Sequence, residues 1–231
     1  DGQQVQVENS GPYSIAQVHF VSMPENQIYS GLVNVNTASG ASQVIETIIA
    51  ITATSNKTVI VYDHWEDGYE SDINSPTQTA TTKVWTYTDA DGWFVDTDGN
   101  FIKDAGESAV ANGTSIVANG RTLILNNNVA TSHATSPGGN VFFDGRDKIG
   151  STKAVTVTRA GWDTGITTVL GGAVNLVDVG NAGTNFVIPV GADTYYSGSN
   201  SLYTKTSLYV MAYEDNTVVT ITLANADGTL S

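Results

Sequence analysis

The sequence predicts an all-β protein, an antiparallel β-sandwich. Several segments are rich in β-branched and aromatic residues. Clusters of Gly, Pro, Asn, Asp and Ser separate them. No stretch repeats its apolar residues at the 3.6 spacing of a helix. With 231 residues, 40% of them hydrophobic, the chain can bury a core of its own, and wholesale disorder is excluded.

In chain order the strand candidates are 58–62 (Thr-Val-Ile-Val-Tyr), 82–88 (Thr-Lys-Val-Trp-Thr-Tyr-Thr) and 154–159 (Ala-Val-Thr-Val-Thr-Arg), followed by 185–190, 207–213 and 217–223. Turn signals stand at 55–57, 98–99, 119–120, 137–139 and 214–216, and one short helical turn is expected within 104–111. The chain also repeats itself. Phe20-Val21, Pro24 and Tyr29-Ser30-Gly31 return in the same order as Phe186-Val187, Pro189 and Tyr196-Ser197-Gly198. The segment 51–60 is matched by 210–219. Ordered landmarks of this kind predict two related β units. The first covers 1–180 and carries a long, loop-rich acidic insertion at about 64–150. The second, 181–231, is incomplete.

Charge narrows the functional classes. Asp and Glu number 23 against 9 Lys and Arg, a formal net charge of −14. That balance repels nucleic acid and anionic membranes and attracts divalent cations. No transmembrane segment is expected: the best apolar run, 44–61, is interrupted by Glu46, Thr47, Ser55, Asn56 and Lys57. The start lacks a basic, apolar leader, so Asp1 reads as a mature end or a segment boundary. Cysteine is absent, which excludes disulfides, thiol catalysis and thiolate metal sites. Few bases, abundant Thr, Ser, Asn and Gly, and no Cys point to a secreted or cell-surface protein of a bacterium or archaeon.

Two acidic segments are candidate Ca²⁺ sites. The first is 63–72, with Asp63, Glu66, Asp67 and Glu70; its carboxylates repel one another unless a hard cation joins them. Trp65 and Tyr69 within it suggest a packed, shaped loop and, with Trp93, are candidate ligand-contact aromatics. The second is 96–107. Asp96, Asp98, Asn100, the Ile102 carbonyl, Asp104 and Glu107 follow the 1, 3, 5, 7, 9, 12 ligand spacing of an EF-hand loop. Position 6, which should be Gly, is Phe101, and no helix clearly flanks the loop. The other reading is a hairpin in which 93–95 and 101–102 flank a two-residue Asp98-Gly99 turn, and the two can coexist with Ca²⁺ held by neighbouring acidic turns. A third segment, 142–149, reads as a turn with a local ion pair, or as one that brings Asp144 and Asp147 to the acidic cluster.

Catalytic signals are sparse. His19, His64 and His133 are the histidines, and no nucleophile elbow, phosphate loop or zinc-type His/Glu pairing is present. Asp63/Glu66 and Asp67/Glu70 form a glycosidase-like carboxylate pair only on paper. Trp65, Trp85, Trp93 and Trp162 offer sugar-stacking surfaces or, more simply, core aromatics.

The string 61–70 (Val-Tyr-Asp-His-Trp-Glu-Asp-Gly-Tyr-Glu) resembles a signature of large, modular, secreted or cell-surface bacterial proteins. So does its continuation through Thr82-Lys-Val-Trp85, 144–149 and Thr158-Arg159-Ala160-Gly-Trp162. The frame from Phe186 to Val218 resembles the amino-terminal β domain of IgGFc-binding-type extracellular proteins. The resemblance implies adhesive or surface-structural roles and brings no catalytic residues. The expectation is a non-enzymatic, Ca²⁺-stabilised extracellular module of an adhesin or structural assembly. Its partners would be other surface proteins, copies of itself, or glycans. The alternatives are a carbohydrate-binding or glycoside-hydrolase-like domain, and a self-polymerising filament subunit donating a strand such as 3–8.

Overall fold

The structure, a computed structural model, describes residues 12–23, 25, 27–28, 45–129, 141–163, 171–188 and 208–222. Its strands are β1 (Gln17–Phe20), β2 (Ile45–Ala53), β3 (Thr58–Asp63), β4 (Thr82–Thr88), β5 (Gly92–Phe94), β6 (Ile116–Asn119), β7 (Thr122–Val129), β8 (Lys148–Ser151), β9 (Val155–Asp163) and β10 (Gly171–Asn175). A 3-10 turn follows at Val179–Asn181, and the described residues 25 and 27–28 are helical. One sheet runs β1-β8-β3-β4-β5 and the other β10-β9-β2-β7-β6, with five strands each. All pairings are antiparallel. The expected sandwich is the observed fold. Among the described residues no helix is long and apolar enough to cross a membrane.

The core follows from strand periodicity. In β2 every second residue is buried, so Ile45, Ile49 and Ile51 point inward while their neighbours are half-exposed. Across the layer stand Ile60, Tyr62, Trp85, Tyr87 and Ile149 of the other sheet, with Leu123, Leu125 and Val157 beside β2's own residues. Strand β3 is buried along its whole length. It lies between β8 and β4, and its outer face is covered by Tyr13, Ile15 and Phe101 packed around Val59 and Val84. A strand covered on both faces needs a continuous apolar run, and Thr-Val-Ile-Val-Tyr supplies it.

The acidic excursion at 64–150 is woven into the sandwich, because β4 and β5 join one sheet and β6 and β7 the other. The candidates 58–62, 82–88 and 154–159 appear as β3, β4 and β9. The later candidates differ. Where described, 185–188, 208–213 and 217–222 form no strand, and Val187 and Val218 are 96% and 87% exposed. A β-branched run becomes a strand only when its amides find a ladder, and no described neighbour pairs with these. Phe20 lies in β1; Phe186 lies in no strand and is exposed. Tyr213 still meets Phe20, ring to ring at 5.8 Å, and the Tyr209 hydroxyl donates to the Gln27 carbonyl at 3.4 Å. Pro24, 29–31, Pro189 and 196–198 of the repeat, together with 3–8, His133 and the 137–139 turn, lie outside the described residues. No helical turn forms within 104–111; a single bond from the Glu107 amide to the Asp104 carbonyl turns the chain there.

Candidate functional site

The segment after β5 is a twelve-residue loop, not the tight hairpin centred on Asp98-Gly99. The Val95 amide donates to the Ser108 carbonyl at 2.9 Å and the Val110 amide to the Trp93 carbonyl at 2.8 Å, so the ladder closes outside 96–107. Side chains from within the loop satisfy its amides. Asp96 accepts from the Gly99 amide at 2.8 Å, the Phe101 amide at 3.0 Å and the Thr86 hydroxyl at 3.2 Å. Asp98 accepts from the Asn100 amide, and Asn100 from the Ile102 amide. Glu107 reaches back across the loop to accept from the Thr97 and Asp104 amides at 2.6 and 3.1 Å. These bonds hold the Glu107 carboxyl below the usual carboxylate range, the Thr97 amide most of all. With its amides satisfied by carboxylates, the loop has no need of a hairpin ladder.

Phe101, in the position where an EF-hand requires Gly, adopts φ +63 all the same. Its ring packs on the Tyr13, Val59 and Val84 cluster, which offsets the strain. The fold brings carboxylate oxygens of Asp96, Asp98 and Glu107 within 4.8 Å of one another, the first, third and twelfth positions of the spacing read from sequence. Asp104 joins them through Asn100, whose amide nitrogen donates to it at 2.7 Å.

The other acidic segment does not converge on a single point. Asp63, at the end of β3, pairs with Lys148 at 2.9 Å and accepts from the Glu70 amide. Burial pushes its carboxyl up, and Lys148 pulls it partly back. Asp67 accepts from the Thr81 hydroxyl and Glu70 from the Thr82 hydroxyl. With Tyr69 and Thr79 these residues line an open polar cavity of ≈ 390 Å³. Glu66 turns inward. It lies with His64 and Asp147, all three buried and with ligand atoms within 4.8 Å of one another.

That inner junction is built where β3 ends and β8 begins, since Asp63 and Lys148 are register partners. The 144–147 turn is tight, with Arg146 at φ +84, its amide donating to the Val21 carbonyl. Asp147 is fully buried. It accepts from the Tyr62 hydroxyl at 2.6 Å, the Asp144 amide at 3.0 Å and the Trp65 amide at 3.2 Å. Trp65 Nε1 donates to Asp144 at 3.1 Å, and the Arg146 guanidinium lies 4.5 Å from the Trp65 ring centre. Glu25, also fully buried, accepts from the Gly145 amide and pairs with Arg159.

Burial among Glu25, Asp147 and Glu66 pushes the Asp144 carboxyl up to about 9, and burial raises Asp147 as well. Burial lowers His64 to about 4, so its imidazole is neutral at pH 7. Of the candidate contact aromatics, Trp93 sits in the core against Tyr87, whereas Trp65 and Tyr69 brace the junction. The Tyr69 hydroxyl donates to the Arg146 carbonyl at 2.5 Å, and Lys148 Nζ lies 4.6 Å from its ring centre. The sequence offered a place for Asp144 and Asp147 near the cluster only as the alternative to a turn with a local ion pair, and gave no site role to Glu25, Tyr62 or Arg159. The one available signal for Glu25 was an isolated carboxylate inside an otherwise uncharged stretch. The chain matches no known protein family, no curated protein and no solved structure at a significant level.

Proposed function

We propose that this chain is a non-enzymatic contact module of an exported surface protein, held in working shape by Ca²⁺ in the 96–107 loop. The observation that carries the reading is the gathering of Asp96, Asp98 and Glu107 oxygens within 4.8 Å by a loop already shaped from inside. Hard oxygen ligands at this spacing suit Ca²⁺, and a cation that binds only the folded chain adds stability by mass action. The polar cavity formed by Asp67, Tyr69, Glu70 and the threonines is the natural place for contact, because loops on a rigid β scaffold present binding groups. The composition, with few bases and no cysteine, and the resemblance of 61–70 support export to the surface.

Isothermal titration with Ca²⁺ tests the metal. A single exothermic or endothermic transition in the wild type, weakened about tenfold or more by Asp98→Ala, is the expected outcome, since affinity follows ligand charge count. Identical isotherms for the two proteins contradict it. Glycan and matrix arrays probed with and without chelator then test contact; binding that survives chelation unchanged counts against the loop's role.

Self-assembly is a second reading, favoured by the exposed apolar residues at Phe186–Ile188 and at Leu208, Val210, Val218, Val219 and Ile221. Apolar, exposed and outside any strand among the described residues, these runs would add to a sheet edge of a second copy. Light scattering at rising concentration separates the readings: growth in mass that Val187→Lys and Val218→Lys suppress supports assembly, and a constant monomer mass supports adhesion.

A further inference from the structure

We propose that His64, Glu66 and Asp147 form a second, buried metal centre that takes a divalent transition-series ion such as Zn²⁺, separate from the 96–107 loop. The three side chains come from the chain just beyond β3 and just before β8, the central pair of one sheet, whereas the 96–107 loop follows β5 at that sheet's edge. They are 2%, 7% and 0% exposed.

Two contacts have no explanation within the protein. His64 Nδ1 stands 3.1 Å from an Asp147 oxygen yet makes no hydrogen bond, and a neutral ring leaves no ion pair there. Two ligands each roughly 2.0–2.2 Å from one Zn²⁺ at tetrahedral angles are themselves roughly 3.3–3.6 Å apart, so the observed spacing is close to that of atoms sharing an ion. Glu66 is the second case. Its Oε1 accepts a long bond from the Phe142 amide at 3.4 Å, while its Oε2 is buried with no partner. An unsatisfied buried carboxylate oxygen costs the full desolvation of that group unless something cationic meets it.

The surroundings complete the case. Lys148 is matched to Asp63 and Arg159 to Glu25, so neither of these cations is left over for Glu66 and Asp147. Asp147 is held in place by Tyr62, Trp65 and the Asp144 amide, the outer bonding that orients a ligating carboxylate. His64 Nδ1 makes no hydrogen bond, so in the tautomer that carries its proton on Nε2 its lone pair is open to a metal ion. One imidazole with two carboxylates is a borderline donor set. It favours Zn²⁺ or Mn²⁺ over Ca²⁺, which takes oxygen alone.

The test uses the whole chain, stripped with chelator and then given Zn²⁺ or Co²⁺ in excess Ca²⁺, so that the 96–107 loop is already occupied. One Zn²⁺ per chain after gel filtration is expected. So is a visible Co²⁺ spectrum distinct from that of the aqueous ion. His64→Gln and Glu66→Gln should each weaken Zn²⁺ binding about 100-fold or more, while the Ca²⁺ isotherm keeps its midpoint. A wild-type protein that retains no Zn²⁺ and shows only the aqueous Co²⁺ spectrum overturns the proposal without any variant. Zn²⁺ binding that His64→Gln leaves unchanged overturns it too. Loss of the Ca²⁺ response alone bears on the 96–107 loop and leaves this centre standing.

Discussion

Arg159 and Glu25 show how much one buried pair constrains this protein. Both are fully buried, and Arg159 also donates to the Met23 carbonyl at 3.4 Å, tying the segment after β1 to β9 in the other sheet. Removing one partner leaves a bare charge in the interior. Arg159→Leu should cost about 3–5 kcal/mol in urea unfolding, and pairing it with Glu25→Leu should recover much of that. His19, on β1 opposite Ile149, gives a pH test. Its Nδ1 lies 3.1 Å from the Leu176 carbonyl, and burial lowers its pKa below the usual histidine value. The unfolded chain therefore takes up the proton before the folded one does. The His19 contribution to stability should rise with pH as the unfolded residue loses its proton and level off above about pH 6.5. The raised Asp144 and Asp147 carboxyls act in the opposite sense, so the difference between the wild type and His19→Gln isolates it. A proton NMR titration that places the folded His19 midpoint at or above 6.5 would contradict this.

At the level of elements, β2 and the 96–107 loop carry different lessons. The alternation of β2 is plain in its sequence and becomes its burial pattern, with Ile49 fully enclosed at the middle of the second sheet. Ile49→Ala should destabilise the fold by about 2–5 kcal/mol with an unchanged denaturant slope, as a cavity does. The ligand spacing of the loop was equally legible. Its backbone path was not, because Asp98-Gly99 is a strong hairpin signal by itself. The hairpin loses because Asp96 and Glu107 satisfy the amides that a ladder would otherwise need. The inner junction was the least legible part. Its turn at 144–147 was visible as a turn, but Glu25 lies 120 positions from the Gly145 amide it accepts from, and local patterns do not report such separations.

On the scale of the whole molecule, the ten strands of the two sheets lie between Gln17 and Asn175, and the β-branched segments beyond them were legible as composition but meet no ladder among the described residues. A net charge of −14 works against compaction, and three of the nine bases are tied to single carboxylates, Lys148 to Asp63, Arg159 to Glu25 and Arg121 to Asp89, while Lys103 within the 96–107 loop favours the ionised Glu107. The proposed Ca²⁺ would relieve the carboxylate repulsion that remains at the 96–107 loop. The most direct test of that claim is differential scanning calorimetry of chelator-stripped protein, repeated after Ca²⁺ is restored. At Ca²⁺ about 100 times the dissociation constant, mass action adds about 2.7 kcal/mol. For a chain of this size that is a rise in Tm of roughly 5–10 °C, and Asp98→Ala, if it binds about tenfold more weakly, should show about half of it at the same Ca²⁺. A melting temperature identical in chelator and in Ca²⁺ would contradict the account.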